Sequence, residues 1–178
     1  MRFLELFQYD WKTPYSTSFS DILDENGKCI GKIRKKYDNS FIRLIDLFFA
    51  GKYFVQYEIL DSKDQLVFDA KANTSAFKKR QYSIEYINSN NEKVNFQVID
   101  KKMFDIVEKT DFNINGQKYN LVKAPLEWAK LSIGENLIAE WHVPIKPPFK
   151  CKLKLYDESY KDDTLLIIGI FHTYLNII

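Results

Sequence analysis

The last fifteen residues, Thr164 to Ile178, read TLLIIGIFHTYLNII and are apolar on every side. A helix that is hydrophobic all round cannot lie on a surface, so it is buried in a core or in a membrane. As a helix, residues 164–177 would be about 21 Å long, and a bilayer span needs about 20 apolar residues in a row. Gly169, His172, Thr173 and Asn176 interrupt the run, and no Lys, Arg or Trp flanks its far end. Asp162, Asp163 and Thr164 supply an N-cap and negative charge at the positive end of the helix dipole. A helix buried in a protein core is the first reading. A last buried strand is the second, because Ile167, Ile168, Ile170 and Tyr174 favour β structure. A membrane span comes third on length alone.

What precedes this segment is one signal repeated. Polar turn residues are followed by apolar residues at every second position, the mark of strands with one buried face. Phe3, Phe7, Tyr9 and Trp11 alternate around Glu5 in a first strand. Asp24-Glu25-Asn26-Gly27-Lys28 forms a hairpin turn between strands at 19–23 and 29–34. Tyr53, Val55, Tyr57 and Ile59 share a face, with Gln56 and Glu58 opposite. Leu66, Phe68 and Ala70 follow, then Tyr82, Ile84 and Tyr86, then Val94, Phe96 and Val98. A short strand at 104–108, one with Tyr119 and Leu121, one with Leu137, Ala139 and Trp141, and one with Cys151, Leu153 and Leu155 complete the series.

Three stretches break the alternation. Residues 40–50 space Phe41, Leu44, Ile45, Leu47 and Phe48 as a short helix closed by Gly51. Residues 125–130 open with a proline where a first helical turn tolerates it. Pro144, Pro147 and Pro148 exclude a regular strand between Trp141 and Phe149.

A chain of 178 residues is read as one domain, 1–178. With 14 Phe and 11 Tyr it can fill one sizeable core. A net charge of +2 provides no global field for nucleic acid, so none is expected as a partner, and an anionic ligand needs a local patch. Cys29 and Cys151 alone make no disulfide framework, which fits a reduced, cytoplasmic setting. Glu5 and Asp10 break the N-terminal stretch, which therefore lacks the apolar run of a secretory signal.

Three stretches carry a family likeness: residues 22–33 (ILDENGKCIGKI), 137–141 (LIAEW) and 162–172 (DDTLLIIGIFH). In order and character the chain resembles the tubby C-terminal-like superfamily, which includes tubby proteins, phospholipid scramblases and LURP-one-related proteins. It is most similar to the compact, stand-alone bacterial members. The resemblance implies a mainly β fold: a closed antiparallel barrel of about twelve strands around a buried C-terminal hydrophobic helix. It also implies phosphoinositide or membrane-lipid binding, as in eukaryotic members. The basic lipid-binding residues of tubby do not align with particular positions here. The calcium site and palmitoylated cysteine tract of the scramblases have no counterpart.

Candidate ligand contacts are basic. Lys32, Arg34, Lys35 and Lys36 close one strand; Lys78, Lys79 and Arg80 precede another; Lys146, Lys150, Lys152 and Lys154 form an outward stripe. Converging in space, such runs hold phosphate headgroups; apart, they are the solvated outer face of a barrel, with lysine discouraging edge pairing. His142 and His172 have no partner at metal or catalytic spacing, and His172 reads as a hydrogen-bonded core residue. The acidic pairs 24–25 and 162–163 are explained by turn and cap chemistry. No catalytic residues, metal ligands or cofactor are expected. Three functional classes stay open: a non-enzymatic module for anionic lipid headgroups, peripheral to a membrane; a protein-interaction or regulatory module without lipid binding; and, last, an enzyme whose site the sequence does not mark.

Overall fold

The computed structural model describes residues 2–48, 56–73, 81–99, 107–144 and 146–175. Twelve strands form one antiparallel sheet: β1 (Glu5–Asp10), β2 (Ser20–Leu23), β3 (Cys29–Lys35), β4 (Gln56–Asp61), β5 (Leu66–Ala72), β6 (Gln81–Ile87), β7 (Lys93–Ile99), β8 (Glu108–Ile114), β9 (Gln117–Lys123), β10 (Ala129–Ile133), β11 (Asn136–His142) and β12 (Lys150–Leu155). The spatial order is β7-β6-β5-β4-β3-β2-β1-β12-β11-β10-β9-β8. Two meanders are thus joined where β1 pairs with β12, from Glu5↔Leu155 to Asp10↔Lys150. Their outer strands, β7 and β8, meet through side chains. The Thr110 hydroxyl donates to the Ile99 carbonyl at 2.6 Å, and Phe96 stacks on Phe112 with centroids 5.9 Å apart. The sheet curls into a nearly closed barrel.

Antiparallel connections leave the barrel with two unlike ends. Five tight hairpins occupy one end, and three of them are built alike. The Asp24 carboxylate accepts from the amides of Asn26 and Lys28, Asp61 from those of Lys63 and Gln65, and the Asn88 amide oxygen from those of Asn90 and Glu92. A short side-chain oxygen that satisfies two amides of its own turn is why Asp and Asn recur at these places. A fourth hairpin uses Asn115 and Gly116 at φ 50° and 81°, the conformation a two-residue hairpin turn requires. The opposite end carries the longer connections, among them α1 (Ser40–Phe48), whose first turn is capped by the Asn39 side chain accepting from the Ile42 amide.

The interior is filled by α2 (Thr164–Leu175), which lies along the barrel axis with every residue but Leu165 buried. It packs against β4, β5, β6 and β11. The core-helix reading of the C-terminal segment therefore holds over the described residues; Asn176 to Ile178 lie outside them. No helix among the described residues is long and apolar enough to cross a membrane. The Asp163 carbonyl accepts the first helical bond from Ile167, and its carboxylate takes the Tyr86 hydroxyl at 3.3 Å. The Thr164 hydroxyl turns back to the Lys161 carbonyl. Gly169 lets the wall approach: a Cβ there would lie 2.6 Å from ring carbons of Phe68.

Alternation placed most of the wall correctly. Phe7, Tyr9, Phe68, Ala70, Ile84, Leu153 and Leu155 all face inward and are buried. Leu66 does not: the pairing shifts between Ile59 and Leu60, so Leu66 faces out, 41% exposed. Gln56 and Glu58, expected on the solvent side, are also buried. Residues 125–128 form a turn and not a helix, with Leu126 at φ 62°. Tyr53, Val55, the capping Gly51 and the 104–106 part of the expected strand lie outside the described residues.

Candidate anion-binding surface

Side chains at successive positions of β3 point to opposite faces, and this divides its basic run. Lys32 and Arg34 face outward, while Lys35 shares the inward side with Ile33 and is 4% exposed. At the end of the barrel its ammonium meets the Asp46 carboxylate of α1 at 2.8 Å and donates to the Pro14 carbonyl at 3.0 Å. The Tyr37 hydroxyl donates to the same Asp46 oxygen. Burial holds the Lys35 pKa below its ordinary value against the pull of Asp46. Lys35 is therefore part of the strut that fastens α1 to the barrel.

The outward cations of this run are matched by carboxylates. Lys32 pairs with Asp64 at 2.8 Å. Arg34 and Lys36 share Glu58, at 2.5 Å and 3.2 Å, and the Arg34 guanidinium also lies 4.3 Å from the Phe19 ring centroid. Four cations facing three carboxylates leave little free charge. Lys78, Lys79 and Arg80 lie outside the described residues, in the connection between Ala72 and Gln81.

The stripe on β12 differs. Lys150, Lys152 and Lys154 face outward, and cross-strand register sets His142 and Glu140 of β11 opposite Lys152 and Lys154. Glu140 also lies opposite Lys130 of β10, but it accepts the Tyr156 hydroxyl at 2.7 Å. Among the described residues none of these lysines forms an ion pair. Trp128, which precedes β10, stacks on His142 with centroids 5.0 Å apart and 21° between planes. The Lys154 ammonium lies 4.0 Å from the Trp128 ring centroid. The His142 pKa is lowered, first by desolvation and then by the nearby charges of Lys123, Lys152 and Lys154. The stripe was visible as a run of lysines at alternate positions; Trp128 and His142 were not, because they meet it only through sheet register.

His172 is the core residue its surroundings suggested. The Trp141 indole N–H donates to the Tyr9 hydroxyl at 3.0 Å, and that hydroxyl is hydrogen-bonded to His172 Nδ1 at 3.0 Å. Tyr57 meets the imidazole edge-on at 4.6 Å between centroids. Burial pushes its pKa down to about 3, so the ring is neutral. Cys29 and Cys151 are free thiols, and burial pushes Cys151 up to about 12. No group of His, Cys, Asp and Glu among the described residues could hold a metal ion.

No protein of curated function and no solved structure matches this chain. The profile of the Tubby C-terminal like domain matches residues 7–177, from β1 through the axial helix. With the twelve-stranded wall and its buried C-terminal helix in agreement with that match, the chain belongs to the Tubby C-terminal like domain family.

Proposed function

We propose that residues 1–178 act as one non-enzymatic binding module for anionic lipid headgroups. Its first contact is the outer face of β10–β12, with Lys150, Lys152, Lys154 and His142. Lys32, Arg34 and Lys36 form a second, largely neutralised contact, while Lys35 serves α1. The family is one of binding modules and is generally non-enzymatic, which supports the class. The observation that carries the choice of surface is the contrast in pairing. Cations on β3 already have carboxylates, whereas those on β12 have none among the described residues and depress a neighbouring histidine. An unpaired lysine near an anionic membrane contributes about 1 kcal/mol. One already held by a carboxylate must give up that bond first.

Vesicle flotation at low salt tests this. Vesicles of phosphatidylcholine with phosphatidylserine should carry the protein, and phosphatidylcholine alone should not. Lys152→Glu with Lys154→Glu should remove most of the binding, and Lys32→Glu with Lys36→Glu should remove less. Failure of the unaltered protein to float with anionic vesicles would overturn the reading.

A further inference from the structure

The two ends of the barrel differ in what they show to solvent. On α1, Phe41, Leu44 and Phe48 are 69%, 53% and 84% exposed, at the three- and four-residue spacing of a single helical stripe. Among its described side chains the one fully buried is acidic: Asp46, held against Lys35 and Tyr37, with Ile42 and Ile45 half-buried. An amphipathic helix ordinarily turns its apolar stripe to the core. Here a buried ion pair fixes the opposite roll, and α1 cannot hide the stripe without breaking Lys35 from Asp46.

A second apolar tip stands across the barrel. Leu126, in the β9–β10 turn, is 83% exposed and held at φ 62°, a conformation that favours glycine or asparagine. Phe149, just before β12, is 41% exposed at the same end. In the sheet, β3 and β10 are separated by β2, β1, β12 and β11. Among the described residues the two sets of tips therefore lie on well-separated strands of the rim. Exposed apolar tips placed apart at one end of a barrel suit a flat, fluid surface that reaches both.

Charge differs between the ends in its balance. Arg43 on α1 and Lys146 and Lys150 beside Phe149 share this end with Glu127 and Asp10, the latter opposite Lys150 in register, and none of the three cations forms an ion pair among the described residues. The hairpin end carries Asp24, Glu25, Glu92 and Glu135 with Lys28 and Lys63, and the chain enters α2 there through Asp157, Glu158 and Lys161.

We propose that the α1 end of the barrel is a bilayer-insertion face: Phe41, Leu44, Phe48 and Leu126 enter the interfacial layer of an anionic membrane, and the cations beside them hold its headgroups. This rests on the lipid reading given above and adds the orientation and the inserting residues. Short apolar tips flanked by basic residues combine burial with attraction to anionic lipid.

The test uses the full chain with vesicles of phosphatidylcholine and phosphatidylserine in equal parts. Phe48→Trp should show a blue-shifted emission on binding, quenched by lipids brominated on the acyl chains. Phe48→Ser and Leu126→Asn, both at exposed positions, should each weaken partition roughly tenfold, the equivalent of about 1.4 kcal/mol. Vesicle binding with no quenching of Phe48→Trp and no loss in Phe48→Ser would overturn the insertion face and leave the headgroup reading standing. Absence of binding to these vesicles would overturn both. A dimer in lipid-free solution that Phe48→Ser dissolves would assign the stripe to a second copy of the chain and likewise overturn the proposal.

Discussion

Lys35 and Asp46 form an ion pair 2.8 Å long with side chains only 3% and 0% exposed, and it joins the end of β3 to the last turn of α1. Two charges taken out of water are tolerated only as a pair, so removing one partner costs more than removing both. Asp46→Ala should destabilise the protein by about 3–5 kcal/mol, because it strands the Lys35 ammonium and the Tyr37 hydroxyl. Lys35→Met combined with Asp46→Leu should recover roughly 2 kcal/mol of that loss. Urea titrations of the three proteins check both statements.

His172 makes stability depend on acid. In the folded protein its pKa lies at about 3, against 6.5 for the exposed side chain. The unfolded chain therefore binds a proton over this interval that the folded chain does not. Stability from this group is complete above pH 6.5 and declines as pH falls toward 3, by about 1.4 kcal/mol per pH unit. His172→Gln should flatten the slope by one proton, read from unfolding midpoints at a series of pH values. Tyr9→Phe should weaken the fold while leaving most of the slope, since burial and not the hydroxyl is what lowers the pKa.

Gly169 should resist substitution despite sitting in a helix interior. Alanine is intrinsically better there by about 1 kcal/mol. Its Cβ would fall 2.6 Å from the Phe68 ring, and that ring is fully buried with nowhere to move. Gly169→Ala should therefore destabilise by roughly 1–3 kcal/mol, and pairing it with Phe68→Leu should restore part of the loss. Thermal or chemical denaturation reads the cycle.

Vesicle binding should strengthen on mild acidification. The His142 pKa is depressed below 6.5 by desolvation and by Lys123, Lys152 and Lys154. An anionic headgroup raises it by favouring the charged ring, so binding takes up a proton. Affinity for phosphatidylserine vesicles should rise as pH falls below 6.5, and His142→Gln should lack most of that rise.

Much of this architecture was legible in the chain. Inward residues such as Tyr82, Ile84 and Tyr86 are fixed by alternation, because a one-residue slip would turn the whole set to solvent. The central helix followed from a segment with no polar face. Lys35 shows where legibility stopped: its parity with Ile33 marked it as inward, but charge argued outward, and the partner that resolves the conflict lies eleven residues away on α1. Leu66 was misplaced because a bulge changes parity without a sequence signal of its own. Trp128 and His142 were missed for a different reason: their contact depends on which strands are neighbours, and β10–β11–β12 register is a property of the closed sheet.

The most direct test of the functional account is amide hydrogen exchange of the full chain with and without phosphatidylserine-containing vesicles. Membrane-dependent protection should appear at the barrel end that holds α1 and along the lysine face that adjoins it, at residues 40–48, 124–128 and 146–154, and not at the hairpins 24–28, 88–92 and 134–135. Protection centred on those hairpins, or none anywhere with the protein bound, would contradict it.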